Sequence, residues 1–356
     1  WARPMLATPS QYNELRSLAD LLAYAASYEH QKGNTAAALD RISDLLALSR
    51  ACEGYTLIDH LVAAGIGELA CDRLRVMVAD LRIGNGPGQA SAKAVRELIG
   101  QLLDQSALQR GFRQALAGER VLQYDAIQWL CSGEGQFDGS GRVSRHTRGG
   151  ALRTYMLKPV LLQNSRLLLE QMSKMEAAAA QADFPSWQRM LPESPDEIRN
   201  SPRFYQVASI LLGSYESAGG MHYLARTTRR AMALGLALRL YASDHSGRWP
   251  ARLDDLVPGY IAAVPRDPFS PRGQPLRCDL SKSPPVIYSV GSDGQDNRGD
   301  ATPPNPQFRG GRLDTPDAVY KFAAEPRDPE TTLEVVEAEY KRREQLEREE
   351  QSADPQ

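Results

Sequence analysis

With 356 residues, 42% of them hydrophobic and 24% charged, the chain has the composition of a globular protein with room for two domains. Lys+Arg 42 against Asp+Glu 44 leave a net charge of −2, which argues against nonspecific nucleic-acid binding through an overall basic surface. No run of about 18 or more apolar residues occurs, so no segment reads as a membrane span, and none of the four cysteines sits in the CxxC pair of a zinc ribbon or thioredoxin-type site.

Helical periodicity dominates the first half. Leu15, Leu18, Leu21, Leu22 and Ala25 recur at helical spacing up to a stop at Gly33-Asn34. Thr35 then reads as the cap of a second helix with Ala38, Leu39, Ile42, Leu45, Leu46 and Leu48 on one face. Small alanines where two helices meet, with Gly at the corner, make residues 20–50 resemble a tetratricopeptide-type hairpin, in one copy. Further amphipathic helices are expected over Leu57–Leu81, Ala92–Leu116 and Arg120–Cys131, with GNGPG at 84–88 breaking the chain between the first two. Cys52 and Cys71 flank a helical stretch; a disulfide in an oxidising compartment is weighed against the favoured reading of small buried side chains.

Residues 132–150 are rich in Gly, Ser and Arg and lack periodicity, so they read as a long solvated loop holding His146 among Arg142, Arg145 and Arg148. Helix resumes at 151–182, a Pro-punctuated linker follows at 184–203, and a long helix is expected from Phe204 to Ser243, with a kink or break at Gly219-Gly220. From 323 to 356 the chain turns to Glu and Arg with a sparse apolar stripe, a solvated helix or a disordered tail.

The most patterned stretch is 236–293. The long helix ends at Asp244-His245-Ser246-Gly247, where Gly247 suits a left-handed cap, and Trp249-Pro250 redirects the chain. Leu256-Val257-Pro258 and Pro265-Arg266-Asp267-Pro268 form two corners, the second anchored by Phe269. A hairpin is expected next, with Leu276 and Cys278 on one face of its first strand and Val286, Tyr288 and Val290 on one face of its second. Pro284-Pro285 restricts that second strand to an edge or a late start. It runs into Ser289-Val290-Gly291-Ser292-Asp293-Gly294.

In this order the turn at Tyr241–Pro250, the two proline corners and the acidic glycine loop resemble the C-terminal globular part of the type II secretion major pseudopilin family, over residues 230–322. That resemblance implies a calcium ion held by carboxylates and main-chain carbonyls, oxygen ligands suited to a hard cation. Asp293 matches the first carboxylate and Asp317 one member of a later acidic pair; the other member falls on Pro316, with Asp314 near enough to substitute and Asp296 and Asp300 available. The loop is not an EF-hand, because Arg298 stands where that loop requires Gly. The family's polymerising helix is uninterrupted and apolar. Here ARTTRRAMALGLALRL (225–240) occupies that position, so filament formation is not implied.

No GxSxG, HExxH, P-loop or dinucleotide motif occurs, and the five histidines, His30, His60, His146, His222 and His245, are scattered. The expectation is therefore a mainly α protein. A helical, partly repeat-like domain (10–183) precedes a long helix and a small α+β pseudopilin-like module with a short antiparallel sheet (204–322). The function expected is non-enzymatic: an extracytoplasmic, periplasmic or envelope-associated protein that binds protein partners and carries a calcium-stabilised module. Because the chain begins at Trp1 and not at Met, a signal peptide or anchor upstream belongs to that expectation. Two alternatives stand beside it: a hydrolase using His146 or Glu119 in a groove by the 132–150 loop, and a cytoplasmic helical adaptor.

Overall fold

A computed structural model describes residues 9–132, 135–137, 143–145, 151–191, 215–303 and 311–323, with isolated positions in the tail. The chain is mainly helical and carries a small three-stranded antiparallel sheet. Helices α1 (Pro9–Gln31), α2 (Thr35–Ala51) and α3 (Leu57–Val78) pack against one another; α4 (Ala92–Leu103) and α5 (Ser106–Cys131) follow. A short hairpin, β1 (Gly135–Phe137) with β2 (Val143–Arg145), stands within the stretch expected to be loop. Then come α6 (Ala151–Ala178), α7 (Phe184–Met190) and α8 (Tyr215–Asp244). After α8 the chain makes a 3-10 turn at Leu253–Leu256 and strands β3 (Arg277–Asp279), β4 (Val286–Ser289) and β5 (Ala318–Lys321).

Several local expectations are corrected. Asn34, and not Thr35, caps α2, its side chain accepting from the Ala37 amide; Thr35 is the first helical residue and is buried. On α1 the buried stripe is Ala19, Ala23, Ala26 and His30, while Leu18 and Leu21 face solvent. Alanines take the inner face because α1 lies close against α2 and α3, where larger side chains would hold the backbones apart. The apolar face read for α2 is buried as expected at Ala38, Leu39, Ile42, Leu45 and Leu46. Residues 92–131 divide into α4 and α5 at Asp104-Gln105 and not near Leu116. The 184–203 linker opens with a helix, α7, whose Phe184 and Trp187 are buried; 192–203 lie outside the described residues, as do 204–214. All four cysteines are free, with Cys71 fully buried in α3, so Cys52 and Cys71 form no disulfide. In the tail, the described positions 334, 337, 338, 341 and 342 are helical and exposed.

The element that organises the rest is α8. Nearly every side chain from Ala218 to Ala242 is buried, the outer exceptions being Met221, Arg230, Arg239 and Tyr241. Its apolar half, with Met232, Leu234, Leu236, Leu238 and Leu240 each at most 1% exposed, belongs to one continuous core. That core also takes in side chains of α1–α4, α7, the proline corners and the sheet. At roughly 1.5–3 kcal/mol per large side chain, this burial ties the helical domain and the module together more strongly than any hydrogen bond between them. A second core, built by Phe112, Leu116, Ile127, Leu168 and Met172 of α5 and α6, meets the start of α8 at Tyr215 and Ala218.

Helix α8 runs unbroken through Gly219-Gly220. Gly219 is a socket, as is Gly235 farther along. A Cβ on Gly219 would lie 2.0 Å from Trp187 Cζ2, and one on Gly235 2.5 Å from Phe322 Cζ. On α3, a Cβ on Gly67 would meet the Arg229 guanidinium. The helix ends as expected: Gly247 has φ 83° and its amide donates to the Ala242 carbonyl at 2.7 Å, while Trp249 packs back against the core.

In the sheet, β4 is central, paired antiparallel with β3 and with β5, so the Pro284-Pro285 constraint is met by a late start at Val286. The buried face of β4 is Ile287 and Ser289; Val286 and Tyr288 share its half-buried face as expected, while Val290, just past the strand, is buried. Strand β5 supplies Ala318 and Tyr320 to the same inner face and sets Ile287 opposite Tyr320. Replacing Gly219 by Ala should lower stability in urea by about 1–3 kcal/mol through overpacking against Trp187. A gain of about 1 kcal/mol, the ordinary helix-propensity effect of Gly→Ala, would show that the socket is not closely filled.

Candidate functional site

The acidic loop after β4 is folded tightly by its glycines. Gly291 has φ 63° and stands so close to the following segment that a Cβ there would lie 2.2 Å from the Pro316 carbonyl oxygen. This approach brings 291–300 against 314–317. Asp317 is fully buried: one carboxylate oxygen accepts from the Asn297 amide at 3.3 Å and the other from the Gly299 amide at 2.6 Å. Its own amide donates to the Asp300 carbonyl at 2.9 Å. Asp293 accepts from the Gln295 amide at 2.8 Å and from the Asn297 side-chain amide at 3.1 Å. Asn297 therefore stands between the two carboxylates, which the fold brings to one place although 24 positions separate them (317 − 293).

The other three carboxylates are engaged or turned elsewhere. Asp296 forms an ion pair with Arg277 Nε at 2.8 Å and accepts from the Arg298 amide; Asp300 accepts from the Thr302 amide; Asp314 is exposed on the loop surface. Among the described residues no group of three or more His, Cys, Asp or Glu side chains could hold a metal ion. Asp293 and Asp317 are the two carboxylates of the loop that Asn297 joins. Both carboxylates retain acceptor capacity, since an ionised carboxylate has about four lone-pair sites and each here receives two N–H groups. Burial raises the Asp317 carboxyl above the ordinary range, and the Gly299, Asn297 and Asp300 backbone partly offsets that. Arg298 takes φ 59°, the left-handed conformation that a glycine adopts freely.

A second acid is more central than sequence reading placed it. Asp267, expected only as a corner residue, is 1% exposed and accepts from the Phe269 amide at 2.9 Å, the Ser289 hydroxyl at 2.8 Å and the Val290 amide at 3.0 Å. It fastens the second proline corner to the end of β4, and Phe269 in turn packs on Phe184 of α7.

The polar half of α8 joins the module to the helical domain. Arg312, just before the Asp314–Asp317 segment, pairs with Glu68 at 2.7 Å and Asp72 at 3.2 Å on α3, and its guanidinium lies 4.9 Å from the Tyr320 ring centre. Burial pushes Glu68 up to about 7, with Arg312 drawing it back toward the ionised form. Thr228 donates to Glu68 and meets the Tyr320 hydroxyl at 3.1 Å. Deeper in, His222 of α8 meets His60 of α3, two of the histidines that looked unrelated in sequence. The only available signal was the run of polar residues, His222 and Arg226 to Arg230, directly ahead of an apolar helix.

Of the residues weighed for hydrolysis, Glu119 lies within α5 and accepts from the Leu57 amide at 2.9 Å, closing the N-terminus of α3. His146 lies outside the described residues. No family model, curated protein or solved structure matches the chain.

Two substitutions separate the loop carboxylates even without a cation. Asp317→Ala leaves two amides unpaired and should cost about 2–5 kcal/mol, while Asp314→Ala should stay within about 0.5 kcal/mol, both read from denaturant midpoints. Arg298→Gly should raise stability by about 1 kcal/mol by relieving the positive φ.

Proposed function

We propose that this chain is a non-enzymatic, extracytoplasmic interaction protein. In it a helical domain encloses the long helix of a pseudopilin-like module, and the acidic loop of that module takes up calcium. The observation that carries this reading is the burial of nearly all of α8 from Ala218 to Ala242. A helix that builds a filament must offer its apolar face to neighbouring copies; here α3 and α4 already cover it from within the same chain. Such a module cannot polymerise through this helix and is left with its outer surfaces for recognition.

The order of elements agrees with the sequence resemblance: a long helix, a left-handed cap at Gly247, two proline corners, an antiparallel sheet and an acidic loop. No helix among the described residues is long and apolar enough to cross a membrane. Surfaces for protein partners are available on α1, where Leu18 (45% exposed) and Leu21 (59% exposed) stand one turn apart on the outer face. The extracytoplasmic assignment rests on the resemblance.

At the loop, Asp293 and Asp317 would hold the cation, whose charge would draw together the two chain segments they belong to. Since the second segment is tied to α3 through Arg312, ordering the loop would also brace the contact between module and helical domain. Thermal melts in EGTA and in millimolar calcium test this. We expect a rise of several degrees with calcium that is absent in Asp293→Ala. A melting temperature indifferent to calcium in the unaltered chain would remove the cation from the proposal.

A further inference from the structure

The connection between α2 and α3 crosses α5 at Gly118, where the Tyr55 carbonyl stands so close that no Cβ would fit. The Leu57 amide is fastened to the same turn of α5, donating to Glu119 Oε1 at 2.9 Å. This crossing gathers large apolar side chains that are far apart in sequence. Tyr55 is 71% exposed and Ile58 57% exposed on the α3 side. On α5, Val121 is 63% exposed one turn beyond Gly118, and Tyr124 is 41% exposed one turn further. Exposed apolar residues scattered singly need no explanation, but four brought to one crossing do.

The same crossing holds carboxylates in place without cations. Asp59 accepts from the Thr56 amide at 2.9 Å and from the Tyr12 hydroxyl at 2.8 Å, and Glu119 closes the start of α3. Burial raises the Glu119 carboxyl above the ordinary carboxylate range; the Leu57 amide offsets part of this and the charge of Asp59 adds to it. Two fixed carboxylates therefore stand in each other's field. Asp125, one turn beyond Val121, is exposed. Among the described residues none of these three acids forms an ion pair with Lys or Arg, and Arg120, next to Glu119 in the chain, turns to Glu176 of α6 at 3.2 Å.

We propose that this crossing is a docking surface for a basic amphipathic helix of a partner protein. The partner's apolar stripe covers Tyr55, Ile58 and Val121, and Lys or Arg on its flanks pairs with Asp59, Glu119 and Asp125. Charge selects this occupant. A phosphate-bearing surface, whether membrane or nucleic acid, is repelled by the carboxylates. A second copy docked by two-fold symmetry would set the patch on itself, carboxylate against carboxylate. A wholly apolar segment would cover the three acids and leave them without partners, which is costly. A basic helix meets both demands, and Tyr55 and Tyr124 offer it broad contact area at small entropic cost. The inference rests on the reading of the chain as an interaction protein and names the chemistry of a partner, on a second surface besides Leu18 and Leu21 of α1.

The probe is a fluorescein-labelled helical peptide of Leu and Lys with all its leucines on one face, titrated with the full chain and followed by anisotropy. We expect saturable binding that weakens as salt is raised. Ile58→Ser combined with Val121→Ser should weaken it by about tenfold or more, and Asp125→Lys by about tenfold. All three positions are exposed, so urea midpoints of these variants should match that of the unaltered chain. The same peptide with Glu in place of every Lys should not bind. Absence of saturable binding, equal binding of the Glu peptide, or affinity unchanged in the variants would overturn the proposal. Loss of binding in Leu18→Ser with Leu21→Ser alone would also overturn it, while leaving the chain an interaction protein that works through α1. Sedimentation of the unaltered chain as a dimer that Ile58→Ser with Val121→Ser dissociates would assign the surface to a second copy instead, against the proposal.

Discussion

Everything in this molecule depends on the enclosure of one helix. Nearly all of α8 from Ala218 to Ala242 is out of water, and it is covered from within the chain by α3 and α4 on one side and by the sheet and α7 on others. An isolated helix of this composition would expose five large apolar side chains within three turns. The order of the fold follows from hiding them. The N-terminal helices provide one wall, and the second proline corner with Phe269 and the inner face of the sheet, Ile287 and Tyr320, provide another. The helical domain and the module are thus halves of one hydrophobic core, and a boundary drawn between them by composition does not correspond to a boundary in packing.

The first half of the helix is enclosed at a cost. Arg226 is 7% exposed and Arg229 2% exposed; Arg226 Nη1 and Arg229 Nε are buried with no hydrogen-bond partner among the described residues. Burying guanidinium groups is unfavourable, and apolar residues of similar volume would be easier to pack. What the polar residues provide is position. Arg229 reaches Ser49 of α2 at 2.9 Å across the face of Gly67, Gln105 donates to the Arg226 carbonyl at 2.7 Å, and Thr228 reaches Tyr320. Each contact admits one rotation and one height of α8 against its neighbours. Apolar burial supplies the energy of assembly and the polar half sets its register.

How much of this can be read from the sequence varies with the reach of the signal. The α2 face, the left-handed cap at Gly247, the two corners and the late start of β4 were legible because each is set within a few residues by periodicity, a glycine or a proline. The α1 face was misread because leucine marks an apolar stripe more loudly than Ala19, Ala23 and Ala26, and only the closeness of α2 and α3 makes alanine the inner residue. Gly219-Gly220 looked like a break because the partner that fills the socket, Trp187, is 32 positions away (219 − 187). Strand β5 and the inward phase of Ile287 went unseen for the same reason: a short strand is specified by its pairing and not by its own four residues. In the acidic loop, Asn297 joins Asp293 and Asp317, a link no spacing announces, and Asp296 could not be separated from them until Arg277 was seen to claim it.

The most direct measurement of the enclosure is native-state hydrogen exchange of the full chain, followed at the α8 amides over 226–242 and at the buried amides of α3. If one core spans both halves, these two sets should open only in global unfolding and share a single free energy and a single denaturant dependence. Exchange of α8 together with β3–β5 through a cheaper, separate opening, while α3 stays protected, would contradict it and restore two independent domains.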